Sequence, residues 1–342
     1  MKEAEVVAKD ASKTLADTLE EKKFGVGSTL DLETKAVLNY SNLTDNNVFA
    51  QVEGGVTYLP YVAPKVVNLF RRIPMSTETY AYTDQTAATR AAIMAALCGT
   101  GETFTSSETL EAKLINYVKV KDSLDICLDY ASDYSFVEDS ARFLLQTSVV
   151  DKIEDQLING SGTSNEMFSL ESYSAEFDDT FAALPLTDSI DSANMADLAL
   201  GMAAQIEVSG LLNTYMPNVV LVNKGDFFKQ IESAKDANGN YLDPRITKVG
   251  GSTYIGNLLV VASPKVAVNS MYVFDSTKGS ILDRQQTTLA MSTENGTNFV
   301  DGFGTLLTVS KLQFLVRDAE AGAFMKCSNI ATAISNILKP VV

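Results

Sequence analysis

KLINYVKVKDSLDICLDYASDYSFVEDSARFLLQTSVVDKIEDQLINGSGT, residues Lys113–Thr163, reads as one long strand running into one long helix. Val118, Val120, Leu124, Ile126 and Leu128 alternate with Lys119, Lys121, Ser123, Asp125 and Asp129, the period of two that marks a strand with one buried face. From Lys113 to Asp129 such a strand would reach about 55 Å, whereas strands in globular domains usually run about 5 or 6 residues. Even with a bend at Asp122, part of it must project. Ser135 followed by Glu138 has the spacing of a capping box. Beyond it Val137, Ala141, Leu145, Val149, Ile153 and Leu157 recur every fourth residue, with Phe136, Leu144 and Val150 widening the stripe. This predicts a helix of about 24 residues, or roughly 36 Å. It ends on Asn159, Gly160, Ser161 and Gly162, because glycine takes the left-handed conformation of a helix C-terminus without a Cβ clash.

Composition narrows the function classes. The chain has 342 residues, 46% of them hydrophobic, and a formal net charge of −16. That balance counts against a protein whose main work is gripping nucleic acid, since phosphate affinity comes from clustered Lys and Arg. No stretch approaches the roughly 20 apolar residues of a membrane span, and the N-terminus lacks the apolar core of a secretory signal, so no membrane partner is expected. Cys98, Cys127 and Cys327 are widely spaced and predict three buried free thiols rather than a disulfide framework or a metal site.

Histidine is absent, which removes imidazole bases, Ser-His-Asp and Cys-His nucleophiles and His-ligated zinc together. The glycine clusters Gly25/Gly27 and Gly99/Gly101 complete no phosphate-binding fingerprint. No catalytic, cofactor-binding or metal-ligating residue is assigned, no cofactor is expected, and the chain does not read as an enzyme.

Residues 1–60 read as an arm, with a charged helix near Glu3–Lys23 and then a polar tract that cannot build its own core. Pro60, Pro64 and Pro74 punctuate the apolar segment that follows. An outgoing strand with Tyr80 and Tyr82, a tip with Gly99 and Gly101, and the returning strand predict a two-stranded ribbon, which is marginal alone in water. An α/β region follows. Helices are read at Asn194–Leu211 and Lys224–Lys235, strands at Val219–Val222, Leu258–Val261 and Met271–Phe274, and a turn at Asn238–Asn240. Phe227, Phe228 and Ile231 are expected in its core. A hairpin, Thr287–Thr293 and Phe303–Val316 around Asn295-Gly296, precedes a strand at Ala323–Cys327 and a helix at Ile330–Leu338.

A projecting ribbon, a long helix ended by EDQLINGSGT (Glu154–Thr163), the run VVLVNKGDFFKQIESAKDANGNYL (Val219–Leu242) and the late hairpin TENGTNFVDGFGTLL (Thr293–Leu307) occur in that order. Together they resemble the major capsid proteins of tailed bacteriophages. The resemblance implies an α+β fold of the Hong Kong 97 type. Its parts would be an N-terminal arm at 1–60, a connection at 61–75 and an extended loop at 76–123. A peripheral domain would take 124–185 and 286–330, with a spine helix at about 135–158, an axial domain 186–285, and a C-terminal tail 331–342. It further implies hexamers and pentamers of identical copies in an icosahedral shell around double-stranded DNA, held by weak non-specific contact. Implied partners are a portal protein, a separate scaffolding protein and decoration proteins; the implied location is the virion, and the host cytoplasm during assembly. The alternative is an encapsulin, a cellular nanocompartment shell of the same fold, which the arm and the polar tract at Asn39–Asn47 disfavour.

Two departures from the family matter. Members with a fused scaffolding segment carry it before the arm; no room for one is expected here, and a separate scaffolding protein or a shorter removed peptide is the implied alternative. Members that crosslink their subunits join a loop Lys to an Asn, promoted by a Glu, but here no Lys lies between Val66 and Ala112, and Gly302 and Val309 stand at the matching hairpin positions. The expected shell is non-covalent: particles boiled in detergent should run as a single monomer band, and a ladder of covalent oligomers would contradict this.

Overall fold

The computed structural model describes residues 37–38, 58–61, 63–92, 105–133, 135–163, 165–209, 215–233 and 245–340. The helix read at Glu3–Lys23, most of the arm, the ribbon tip with Gly99 and Gly101, Cys98 and the turn at Asn238–Asn240 lie outside the described residues.

The first strands are β1 (Val37–Leu38), β2 (Arg71–Pro74), β3 (Thr79–Thr89), β4 (Ser107–Asn116), β5 (Val118–Cys127) and β6 (Ala175–Glu176). The middle of the chain adds β7 (Val219–Asn223), β8 (Ile246–Val249), β9 (Ser252–Ile255), β10 (Leu258–Ser263) and β11 (Met271–Phe274). The last are β12 (Gly279–Ser292), β13 (Phe303–Val316) and β14 (Phe324–Cys327). Among the described residues they form a sheet in the order β1-β5-β13-β12-β2, a sheet in the order β6-β14-β11-β7-β10-β9-β8, and the isolated pair β3-β4. The chain divides into two compact units. One holds Asp122–Gln146, Leu289–Thr308 and the described part of the first sixty residues; the other holds Tyr61–Lys121, Thr147–Thr288 and the chain from Val309 onward.

In the first unit Leu124 and Ile126 of β5, Ala141 and Leu145 of the long helix and Leu306 of β13 form a small core, flanked by Ala131 and Leu289. β1 pairs in parallel with β5, Val37 opposite Asp125 and Leu38 opposite Ile126. The Leu128 side chain packs closely over Gly304, where a Cβ would lie 2.9 Å from it. The β12–β13 connection is not the tight Asn295-Gly296 turn expected. It contains a short helix, Asn298–Asp301, and Asn295 and Asn298 donate to Thr305 Oγ1 at 3.1 and 2.7 Å. Those side-chain bonds hold a broader loop than a two-residue hairpin.

The second unit is organised by a sheet buried on both faces, as near-continuous apolar strands require. Val219 and Leu221 of β7, Tyr272 and Phe274 of β11 and Phe324 of β14 point into one core, with Val149, Ile153 and Leu157 of the long helix and Phe70 and Phe314. Val220, Val222, Met271, Val273 and Met325 point into a second core, under helices Met195–Ser209 and Ile330–Ile337. Phe274 stacks between Phe70 and Phe324 at centroid distances of 5.5 and 5.7 Å. The long helix is a single element, Ser135–Asn159, and its every-fourth residues from Val137 to Leu157 are all buried. Leu144, expected to widen the buried stripe, is instead half exposed, because it falls off the a/d-like face that the cores occupy. Phe228 is likewise 61% exposed rather than core. Its helix turns α-helical over Lys224–Asp226 and then π-helical over Phe227–Glu232, which rotates the later side chains away from the regular spacing.

The single strand expected from Lys113 to Asp129 is two strands broken at Tyr117. β4 pairs with β3, whereas β5 enters the five-stranded sheet, so the chain changes partners there. Gln313, buried in β13, occupies the break. Its Nε2 donates to the Asn116 carbonyl at 3.2 Å, and its Oε1 accepts from the Phe168 and Phe314 amides at 3.0 Å each. A Gln313→Leu variant strands these buried groups and should lower unfolding stability by about 3 kcal/mol, read from a denaturant midpoint; a loss under about 0.5 kcal/mol would contradict this role.

Candidate assembly surface

The ribbon β3–β4 has two chemically different faces. Pairs Tyr80–Ile115, Tyr82–Lys113 and Asp84–Glu111 alternate with Ala81–Leu114, Thr83–Ala112 and Gln85–Leu110, and alternate pairs lie on opposite sides. The first set turns toward its own unit. Ile115 is buried with Met75, Leu282 and Leu315, and Tyr80 and Tyr82 rest on that cluster. The second set is open to solvent: Leu110 is 59% and Leu114 72% exposed, among exposed Ala81 and Ala112. Beyond Gln85 the register shifts by a bulge, and the described residues of both strands are exposed.

A charged knot fixes the point where the ribbon departs. Asp84 is 2% exposed, and its Oδ2 accepts the Asp318 backbone N–H at 2.9 Å. The Asp318 carboxylate in turn accepts from Lys113 Nζ on the opposite strand. That hydrogen bond raises the Lys113 pKa. Burial, with Asp318 and Asp84 nearby, raises that of Tyr82. One backbone amide and one carboxylate of the turn after β13 thus grip both strands of the ribbon. Composition could not signal this, because Asp84 looks like any solvated acid until its partner, more than 200 residues away, is placed.

A second buried acid secures the segment that enters the unit before the ribbon. Glu154, on the long helix and 4% exposed, accepts the Lys65 amide at 2.8 Å and a bond from Ser263 Oγ at 3.4 Å. No cation is bonded to it among the described residues; on the same helix Asp151 pairs with Lys265 Nζ at 2.7 Å and Lys152 with Asp155 at 2.9 Å. Burial pushes the Glu154 carboxyl above its ordinary range, opposed by these hydrogen bonds.

No group of three or more His, Cys, Asp or Glu side chains is placed to hold a metal among the described residues, and no described helix is long and apolar enough to cross a membrane. Of the cysteines expected to be buried, Cys327 is, and burial moves its thiol up to about 11; Cys127 is only partly buried. The described residues do present apolar surface: the outer face of the ribbon, with Leu110 and Leu114, and a tip at Phe299 and Val300, 82% and 85% exposed.

Extended strands, a long helix and exposed apolar side chains are the features that the described residues set before a partner. The chain belongs to the Phage capsid family, whose match covers residues 57–327. Solved structures share its fold at low identity. A chain from Mycobacterium phage Bobi aligns with a TM-score of 0.59 and 14% identity, over 92% of this chain and 97% of that one. One from Mycobacterium phage Adephagia gives 0.57 and 14%, over 93% and 98%. The capsid of a native GTA particle gives 0.62 and 9%, over 85% and 98%. No curated protein sequence matches. The fold is the Hong Kong 97 type found in phage capsids, and the protein is a structural capsid protein, many identical copies of which form the virion shell.

The sign of the Glu154 effect is testable. A carboxyl whose folded pKa exceeds its unfolded value weakens the fold when ionised. That penalty is full above the folded pKa and disappears as pH falls below the unfolded one, about 4.3. Relative to Glu154→Gln, the wild-type chain should therefore gain stability as pH is lowered from about 7 to 4. Denaturant midpoints of both proteins across that range check it, and a constant difference would contradict it.

Proposed function

We propose that this chain is the major capsid protein of a tailed phage, building hexamers and pentamers of an icosahedral shell around double-stranded DNA. The observation that carries the reading is the ribbon β3–β4, whose outer face sets Leu110 and Leu114 in solvent although the root is firmly held. A large apolar face on a rigid projection is stable in solution only at a cost, and a neighbouring copy that covers it removes that cost. In a closed shell every copy is covered at once. Many modest contacts then sum through multivalency, so no single interface has to be strong.

In this reading residues 76–123 are the extended loop, 124–185 with 286–330 the peripheral domain around the spine helix, and 186–285 the axial domain. The first sixty residues are an arm, 61–75 its connection, and 331–342 a tail. The protein acts as structure and not as an enzyme. Assembly takes place in the host cytoplasm, with a portal protein and a separate scaffolding protein, and decoration proteins add to the outside. The acidic balance of the chain supports a lumen that holds DNA weakly, leaving it free to slide.

The purified chain should form particles of megadalton size visible by negative stain, and those from infected cells should carry DNA and a portal; an enzyme cargo would point to a nanocompartment instead. Substituting Leu110→Asp together with Leu114→Asp should abolish particles while leaving the unfolding midpoint of the unassembled chain within about 0.5 kcal/mol of wild type, as exposed positions allow. Normal particles from that variant would contradict the reading.

A further inference from the structure

In a chain with 43 acidic and 27 basic residues, one cavity at the root of the ribbon is lined by an excess of cations. It has a volume of about 270 Å³, and its wall includes Arg71, Lys278 and Arg317, with the hydroxyl residues Thr277 and Ser280 and a single acid, Glu320. Glu320 is bonded to Lys278 at 3.3 Å. Arg71 and Arg317 are exposed, and neither is in an ion pair with a carboxylate among the described residues. Arg71 opens β2, which lies at the edge of its sheet and holds its register through Ser280 opposite Arg71. Arg317 follows β13 directly and precedes Asp318, the residue that grips the ribbon. Both guanidinium groups therefore stand on backbone that cannot easily move. Two unpaired forks and an ammonium around a concavity of this size make a receptor for an oxyanion, because guanidinium binds carboxylate through two parallel N–H donors.

We infer that this cavity is a docking site for the carboxylate of an Asp or Glu side chain from a second copy of the chain, engaged when copies assemble. The inference rests on the assembly reading above. Charge complementarity selects the occupant: the commonest oxyanion near this pocket in a shell of acidic chains is a carboxylate of another copy. A polyanion fits less well, since phosphate backbones are followed by extended basic stripes. Here the three cations meet in one concavity with Glu320 in its wall, and Asp318 follows Arg317 in the chain. The site also has a structural consequence. A neighbour's acid held there would neutralise the two arginines next to the knot of Asp84, Lys113 and Asp318, so seating the neighbour and fixing the ribbon's direction would occur in one place.

Lys278 makes the site readable. A zero-length carbodiimide converts a carboxylate and an ammonium in contact into an amide, and shells assembled from a mixture of nitrogen-15-labelled and unlabelled chains separate bonds between copies from bonds within one. Shells should yield mixed-label peptides joining Lys278 to an Asp or Glu, while unassembled chains should yield only the Lys278–Glu320 bond. Arg71→Gln with Arg317→Gln should abolish the mixed-label product and make the shells dissociate at lower salt. Lys278→Arg should remove the product without changing the salt at which shells dissociate. Shells that give only the Lys278–Glu320 bond would overturn the proposal, and so would a mixed-label yield unchanged in the double arginine variant. Protection of Lys278 seen only in DNA-filled shells, and not in shells assembled without DNA, would also overturn it by assigning the pocket to phosphate. If no variant and no wild-type chain forms particles, the assembly reading fails first and this site with it, an outcome distinct from intact shells with an empty pocket.

Discussion

A two-stranded ribbon has nowhere of its own to bury both faces, and the rest of this structure is arranged around that constraint. One face is settled at the root: Ile115 is buried, Tyr80 and Tyr82 rest on the cluster of Met75, Leu282 and Leu315, and Asp84 and Lys113 are tied to Asp318. The other face, with Leu110 and Leu114, remains in solvent. Apolar surface left in water weakens the fold by about 25 cal/mol per Å² relative to burying it. Under the proposed reading, a projection of this kind is held in place by its unit and completed by another copy.

The body behind the ribbon is rigid because polar groups are buried where the architecture changes direction. Gln313 closes the break between β4 and β5, Glu154 holds the entering segment at Lys65, and Asp84 holds the turn after β13. Each sits among apolar residues and each takes one or more backbone donors. Buried hydrogen bonds of this kind are costly to break because the partner is left unsatisfied. They fix geometry more than they add stability. The sheet with apolar residues on both faces supplies the stability, with Phe70, Phe274 and Phe324 stacked and Phe314 edge-on to Phe70 on one side, and the two helices on the other.

Much of this was legible in the residues. Every-fourth spacing located the helix Ser135–Asn159 and its buried face, and the short apolar runs located β7, β10, β11 and β14 to within a few residues, because burial by period is a local property of the sequence. Gly250-Gly251, both at positive φ between β8 and β9, form a hairpin turn that the dipeptide itself signals. Other features were not legible. The break at Tyr117 depends on Gln313, the exposure of Phe228 on a π-helical turn, and the burial of Asp84 and Glu154 on partners distant in sequence. Nor does charge composition show that Arg71, Lys278 and Arg317, scattered through the chain, converge on one cavity. Long-range placement decides all of these, and a single sequence reports only local preference.

If the ribbon works as proposed, its outer face is covered by another copy of the chain in the particle. Amide hydrogen exchange of the segments Thr79–Thr89 and Ser107–Asn116, compared between unassembled chains and intact particles, tests it most directly. Fast exchange is expected at Gln85–Thr89 and Ser107–Leu110 in the unassembled chain and strong protection of the same amides in the particle, with Ile115 protected in both. Equal exchange in the two states would contradict it.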